Sequence, residues 1–192
     1  GVAEEMRDYY SQLGIDKKII IVASPNVQDN FKLQLFDERK LKEENGVWTM
    51  TGCLSNKLIK EINPTRMRGL TKEKLTLMVK NIINHYYTFT GYIQFSNEIE
   101  SYKKEGKIRE LKRKFNDSLI IIDEVHNISL SSDVSNKKKK KQKKRTGEGI
   151  GKNLLQLVTI CQNVRLLLLS ATPMFNDYKE IEQIPNFNIR LR

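Results

Sequence analysis

Two acidic residues, Asp123 and Glu124, directly follow the short apolar run 119–122. Such a run is typical of a buried strand in a parallel sheet, and the ligands of such sheets bind beyond the carboxyl ends of the strands. Two carboxylates at that place can act together on a nucleoside triphosphate, because one helps to hold Mg²⁺ against the phosphates while the other orients the attacking water. A polar turn that happens to contain two acids is the alternative, and the pair alone does not decide between them.

Small polar residues follow two further apolar runs. The run 164–169 ends in Ser170-Ala171-Thr172, and the run 18–23 ends in Ser24-Pro25-Asn26. Small hydroxyls and backbone amides at the start of a helix suit phosphate groups. Capping of a strand end explains the hydroxyls of the first segment equally well. The second segment is also a common turn from a strand into a helix.

These strand ends need a framework of alternating strands and helices. Strands are predicted at 18–23, 47–50, 86–92, 119–122 and 164–169, and helices over 1–13, after a capping Asn26, from Thr71, and over 94–104, 107–115 and 154–161. Continuous apolar strands that alternate with helices predict an α/β fold, in which a parallel sheet carries helices on both faces. The length of 192 residues suits one domain.

Three segments together resemble the first motor domain of superfamily-two helicases. Asp123-Glu124-Val125-His126 matches their DExH box, Ser170-Ala171-Thr172 matches their third motif, and Ser24-Pro25-Asn26 ends a strand similar to their motif Ia. The resemblance implies a RecA-like P-loop NTPase fold that uses ATP and Mg²⁺, with Asp123 at the metal and Glu124 at the water. His126 then links the nucleotide site to a second RecA-like domain, Ser170 and Thr172 couple nucleotide state to strand movement, and Ser24, Pro25 and Asn26 contact nucleic acid.

The residues around these motifs are similar to the transcription-associated helicases of giant nucleo-cytoplasmic DNA viruses, which are relatives of the poxvirus early-transcription and termination ATPases. The similarity extends over residues 1–184 and includes Glu61-Ile62-Asn63-Pro64. It implies ATP-driven translocation on, or unwinding of, DNA or RNA in viral transcription, with RNA polymerase or a transcription complex as a partner. The implied location is the virion, a cytoplasmic virus factory or the nucleus. A non-catalytic nucleic-acid-binding or assembly module, and a double-strand DNA translocase of the remodeller or restriction type, remain alternatives.

The phosphate-binding loop of this class, Gly-x-x-x-x-Gly-Lys-Ser/Thr, does not occur in the sequence. The nearest candidate ends in Gly151-Lys152-Asn153, but Thr146 stands where the first glycine is needed and Asn153 replaces the metal-binding hydroxyl. This segment is interpreted as a loop leading into a helix. We therefore expect 1–192 to be a partial helicase ATP-binding domain that lacks its P-loop strand and is inactive alone.

The net charge of +11 is concentrated in one tract, 137–145, which holds eight of the 34 basic residues. Elsewhere 26 basic residues face 23 acidic ones. The tract lies in 131–150, which is predicted to be a basic flexible insertion, and it is either a tolerated surface loop, a nucleic-acid contact or a nuclear-import signal. The two cysteines, Cys53 and Cys161, lack metal-ligand spacing and are expected to be buried or unreactive thiols in a reducing, intracellular compartment. No apolar stretch approaches the roughly 20 residues that span a bilayer.

Overall fold

The structure is a computed structural model that describes residues 1–51, 53–65, 68–125, 128 and 141–171, with the side chains of 53–55 and 141–148 left aside. The helices are α1 (Val2–Leu13), α2 (Pro25–Leu35), α3 (Cys53–Ile62), α4 (Lys72–Tyr86), α5 (Tyr92–Lys104), α6 (Ile108–Phe115) and α7 (Lys141–Ile160), and one 3₁₀ turn covers Glu38–Lys40. The strands are β1 (Ile19–Val22), β2 (Leu41–Glu44), β3 (Val47–Met50), β4 (Tyr87–Thr90), β5 (Leu119–Ile122) and β6 (Arg165–Leu168). None of the described helices is both long and apolar enough to cross a membrane.

The chain forms two compact units. One consists of Gly1–Lys18 with Pro25–Thr88, and the other of Ile19–Ser24 with Phe89–Arg192. A four-stranded parallel sheet has the order β4-β1-β5-β6 and is flanked by helices. The chain is therefore α/β, as predicted, and its architecture is consistent with a RecA-like fold.

Every residue of β1 and β5 is buried, as expected for central strands of a parallel sheet. The alternate residues Ile20, Val22, Ile120 and Ile122 form one core cluster with apolar side chains of the following helices. Those side chains are Phe95 and Ile99 of α5, Leu111 and Phe115 of α6, and Ile150, Leu154 and Leu157 of α7. Cys161 joins the same cluster as a buried free thiol, which confirms its predicted burial.

The first unit contains a β-hairpin that the sequence revealed only in part. β2 and β3 pair antiparallel, with Leu41 opposite Met50 and Glu44 opposite Val47. The connecting turn is Asn45-Gly46, with φ of 54° and 76°. Positive φ at both turn residues is what a tight two-residue hairpin requires, and Asn-Gly adopts it readily. Strand β3 has the bounds predicted for it, whereas β2 and helix α3 were not predicted.

A buried ionic cluster joins three segments of the first unit. Arg7 of α1 donates through Nε to Glu4 at 3.0 Å and through Nη1 to Glu61 of α3 at 2.7 Å. The Tyr87 hydroxyl donates to the other oxygen of Glu4, and the Arg7 guanidinium lies 5.4 Å from the centre of the Tyr86 ring. Burial and the bond to Glu4 raise the pKa of Tyr87 above its usual value, so Tyr87 keeps its proton and serves as a donor.

Two local predictions are wrong. Helix α2 begins at Pro25, so Asn26 lies in its first turn and does not cap it. Proline suits the first helical position because the N–H that it lacks has no partner inside the helix. The segment 147–153 lies within α7, which begins at Lys141, whereas a loop was predicted there. The burial of Ile150 explains this, because packing of an apolar face decides helix formation more than the unfavourable propensity of glycine.

Candidate functional site

Three parallel strands end side by side at the carboxyl edge of the sheet. Val22 pairs with Ile122, and Ile122 pairs with Leu168, so β1, β5 and β6 end in register and the residues that follow them lie along the same edge. The backbone N–H of Asp123 donates to the carbonyl of Val22 at 3.0 Å, and that of Leu169 donates to the carbonyl of Ile122 at 2.8 Å. This edge therefore carries Ser24, Asp123, Glu124 and Ser170, all of them half-buried.

The acidic turn has an unusual backbone, and the residue that follows β6 helps to hold it. Glu124 adopts a φ of 45°, in the left-handed region. A residue other than glycine in that region costs roughly 1–2 kcal/mol, so the surrounding structure must maintain it. The next residue, Val125, is buried and donates its N–H to the carbonyl of Leu169 at 3.0 Å. The segment that bears Ser170 is thus bonded to the segment that bears the two carboxylates.

Tyr92, at the start of α5, is a residue of this edge that was not predicted from the sequence. Its hydroxyl donates to the main-chain carbonyl of Asp123 at 2.7 Å. The sequence predicted a strand over 86–92, whereas β4 ends at Thr90 and Gly91 precedes the helix. The glycine before Tyr92 was the available signal for that boundary, because glycine interrupts a strand pattern. The contact joins the start of α5 to the acidic turn.

Replacing Tyr92 with phenylalanine should lower the free energy of unfolding of the sheet-bearing unit by about 1 kcal/mol, because the Asp123 carbonyl loses one hydrogen bond. Chemical-denaturant unfolding followed by far-ultraviolet circular dichroism measures this change. Tyr86→Phe is the matched control, since its ring keeps the contact with Arg7. Equal stability of the Tyr92 and Tyr86 variants would show that the hydroxyl does not support the turn.

The oxygens at this edge suit a hard cation that is shared with a ligand. Asp123 and Glu124 offer carboxylates, Ser24 and Ser170 offer hydroxyls, and one carboxylate oxygen of Glu124 is shielded from solvent. Across the described ranges, no group of three or more His, Cys, Asp or Glu side chains could form a metal cage. Mg²⁺ is commonly bound by one or two carboxylates together with substrate phosphates and water, so this donor set fits it.

Four further residues were predicted for the site. Pro25 and Asn26 are exposed in the first turn of α2. His126 and Thr172 lie outside the described residues. The two carboxylates, Ser24 and Ser170 are accordingly the predicted residues that the structure places at one edge.

Asn153, the residue at which the glycine-rich segment departs from a phosphate-binding loop, has a structural role. Its side-chain amide donates to the Ser96 hydroxyl at 2.9 Å and to the Ser96 carbonyl at 3.3 Å. Its oxygen accepts a hydrogen bond from Lys103 at 3.3 Å. Asn153 is buried and Ser96 and Lys103 belong to α5, so this asparagine joins α7 to α5.

Comparison with known proteins gives a distant likeness to a protein named as a helicase. The chain is 23% identical over 209 aligned positions, covering 97% of its length, to a protein of Acanthamoeba polyphaga mimivirus that is named "Putative ATP-dependent RNA helicase". The chain spans only 16% of the length of that relative. No family model and no solved structure matches the chain. The likeness covers both units and supports a relationship to helicases.

Proposed function

We propose that this chain forms part of the first motor domain of an ATP-dependent nucleic-acid helicase or translocase of the DExH type. The observation that carries the proposal is the carboxyl edge of the sheet, where Asp123 and Glu124 lie beside the strand ends that lead to Ser24 and Ser170. Ligands of open parallel sheets bind at this edge. The distant mimivirus likeness supports the same class.

Each residue of the edge has a distinct proposed role. Asp123 helps to hold Mg²⁺ with the nucleotide phosphates, and Glu124 orients the attacking water and accepts its proton. Mg²⁺ supplies neutralisation of the phosphate charge. Ser170 and Thr172 couple nucleotide state to movement of the strand ends, and His126 links the site to a second RecA-like domain. The hydrogen bond between Val125 and Leu169 supports this coupling, because it joins the segments that bear the acids and Ser170.

The nucleic-acid contacts are proposed at the strand end after β1. Ser24 is half-buried, and Pro25 and Asn26 are exposed in the first turn of a helix. The amides of a helix start attract phosphate through their N–H groups and the positive end of the helix dipole. The lysine tract 137–145 is a second candidate contact with the phosphate backbone. Viral transcription, with an RNA polymerase or transcription complex as partner, is the proposed setting.

The sequence supplies half of a nucleotide site, because no Gly-x-x-x-x-Gly-Lys-Ser/Thr segment occurs within the 192 residues. That absence favours one second candidate, a non-catalytic nucleic-acid-binding or assembly module that keeps the fold. The two candidates differ in what a longer polypeptide from the same open reading frame would do. An ATPase requires that polypeptide to contain the missing loop, whereas a module does not.

The test compares ATP hydrolysis by the 192-residue chain with hydrolysis by the complete product of its reading frame, each with and without single-stranded nucleic acid. We expect no turnover by the shorter chain and nucleic-acid-stimulated turnover by the complete product. Phosphate release measured with a coupled assay gives both rates. ATP turnover by the 192 residues alone would contradict the proposal that they hold only half of a nucleotide site. A complete product that binds nucleic acid without hydrolysing ATP would establish the module.

A further inference from the structure

A pocket of about 440 Å³ lies within the first unit. It is formed between the β2–β3 hairpin and helix α3. Its lining residues are Glu44, Asn45, Val47, Trp48, Thr49, Asn56, Ile59, Lys60 and Asn63. A volume of this size falls within the range of small-ligand sites, which is roughly 300–1,000 Å³.

Trp48 is held in a fixed position at this pocket. Its indole N–H donates to the carbonyl of Leu70 at 2.6 Å, and its ring is half-buried. The hydrogen bond satisfies the one polar group of the side chain, so the ring can serve as an apolar surface for a ligand. A planar aromatic surface that is already ordered costs little conformational entropy when a flat ligand stacks on it.

The polar groups around Trp48 can pair with the edge of a nucleobase. The side-chain amides of Asn45 and Asn56 each provide a donor and an acceptor, and the carboxylate of Glu44 is an acceptor. The edges of unpaired bases present donors and acceptors side by side, and proteins read them with such groups beside a stacked aromatic ring.

Two cations flank this arrangement. Lys60 lines the pocket from α3 and is exposed. Arg68 lies against the hairpin turn, where its Cγ is 3.6 Å from the position that a Cβ on Gly46 would occupy, and it is also exposed. Among the lining residues Lys60 is the one cation and Glu44 the one anion, and Arg68 adds a second cation at the hairpin turn. A phosphodiester next to a stacked base would find a counter-charge here.

We propose that this pocket binds one unpaired base of a single-stranded nucleic acid, with Trp48 stacking on the base and Lys60 facing its phosphate. The inference deepens the proposed function, because it adds a base-contacting site to the backbone contacts after β1. Stacking on Trp48 contributes whatever the base, and an asparagine amide can offer either a donor or an acceptor, so the site does not require one particular base. A translocating motor requires that tolerance.

The chain offers an internal probe for this site, because Trp48 is its only tryptophan. The experiment titrates the 192-residue chain with fluorescein-labelled 12-mers of oligodeoxyuridylate and oligouridylate, which differ only in the 2′-hydroxyl, at low salt. Anisotropy of the label measures binding, and the emission of Trp48 is recorded with unlabelled oligomers of the same sequence. We expect the tryptophan emission to fall with the same midpoint as the rise in anisotropy. A tighter midpoint for the RNA oligomer would show that a 2′-hydroxyl is also read, and equal midpoints would assign the contact to base and phosphate.

Two single substitutions and one matched control separate the pocket from general charge. Lys60→Ala and Asn56→Ala should each weaken binding about threefold or more, as loss of one charged or polar contact to the ligand would. Lys80→Ala removes an exposed lysine of the same unit that pairs with Glu38 at 3.0 Å, and it should leave the midpoint within about twofold. Trp48→Leu should weaken binding about fivefold or more, as measured by anisotropy alone.

The failures of the two proposals are distinguishable. Binding by anisotropy with constant Trp48 emission, and with Lys60→Ala equal to Lys80→Ala, would overturn the pocket and leave nucleic-acid binding intact. Anisotropy that stays flat for both oligomers at low salt would overturn nucleic-acid binding by this chain, and the pocket with it. Quenching that Asn56→Ala and Lys60→Ala both weaken would establish the site.

Discussion

Replacing Arg7 with alanine should lower the free energy of unfolding of the first unit by about 3–5 kcal/mol. The side chain of Arg7 is 2% exposed, and that of its partner Glu4 is 7% exposed. Removing the guanidinium leaves the Glu4 carboxylate buried without its cation, and it also releases Glu61. Breaking a buried ion pair from one side is costly, because the remaining charge has already lost its hydration.

The pKa of Arg7 shows the same balance of forces. Burial acts to lower it, but the hydrogen bond that Arg7 donates to Glu61 and the charge of Glu4 outweigh burial and raise the pKa above its usual value. Arg7 therefore carries its charge at neutral pH. The loss of unfolding free energy in Arg7→Ala should therefore not change through titration of the arginine at pH values near neutral.

Urea unfolding followed by the emission of Trp48 measures the change, since Trp48 lies in the same unit as Arg7. Lys80→Ala is the control, because Lys80 pairs with Glu38 of the same unit at 3.0 Å and both of these side chains are exposed. We expect a loss of no more than about 1 kcal/mol. Equal losses for Arg7→Ala and Lys80→Ala would contradict the buried cluster.

The strands that bear the site could be predicted because a run of adjacent apolar residues indicates a buried strand. β1 and β5 each consist of four isoleucine, valine or leucine residues. Ala23 and Ser24 follow β1, and Asp123 follows β5. Such a run needs a sheet covered on both faces, and its end marks the ligand-binding edge. The placement of Asp123, Glu124, Ser24 and Ser170 along one edge therefore follows from local sequence and topology.

The features that could not be predicted depend on contacts distant in sequence. Tyr92 reaches the Asp123 carbonyl across 31 positions, and Tyr87 reaches Glu4 across 83. Arg7 and Glu4 look like an ordinary exposed i,i+3 pair on an amphipathic helix, because nothing adjacent reveals that α3 and β4 contribute Glu61 and Tyr87. Helical periodicity identifies a helix, but it does not identify the segment that will cover a charged residue.

The error at α7 has a related cause. Three glycines in 147–151 and a preceding lysine run indicate a loop by local propensity. Ile150 nevertheless belongs to the core cluster with Leu154 and Leu157, at helical spacing, and Asn153 is bonded to Ser96 of α5. Tertiary packing of one face outweighs about 1 kcal/mol of unfavourable propensity for each glycine.

Replacing Glu124 with glutamine should reduce the turnover number for ATP by about 10²–10⁴-fold in the complete polypeptide, which is the range expected when a positioned proton acceptor is lost. The amide has nearly the same volume as the carboxylate but cannot accept a proton from the attacking water. Nucleic-acid affinity should remain within about twofold, because the substitution leaves Ser24, the start of α2 and the pocket beside Trp48 unchanged. Steady-state phosphate release gives the turnover number, and anisotropy gives the affinity.

Asp117→Asn provides the matched control for that substitution. Asp117 precedes β5 at the amino end of the same strand that Glu124 follows, and its φ of 59° is one that asparagine adopts readily. The bond that its Oδ1 accepts from Asn163 at 2.9 Å can persist in the amide. We expect turnover within about twofold of the original. A Glu124→Gln variant that hydrolyses ATP as fast as Asp117→Asn would exclude Glu124 from the reaction. A loss of turnover confined to Glu124→Gln would show that hydrolysis depends on the carboxyl edge of the sheet and not on an acid at the other end of β5.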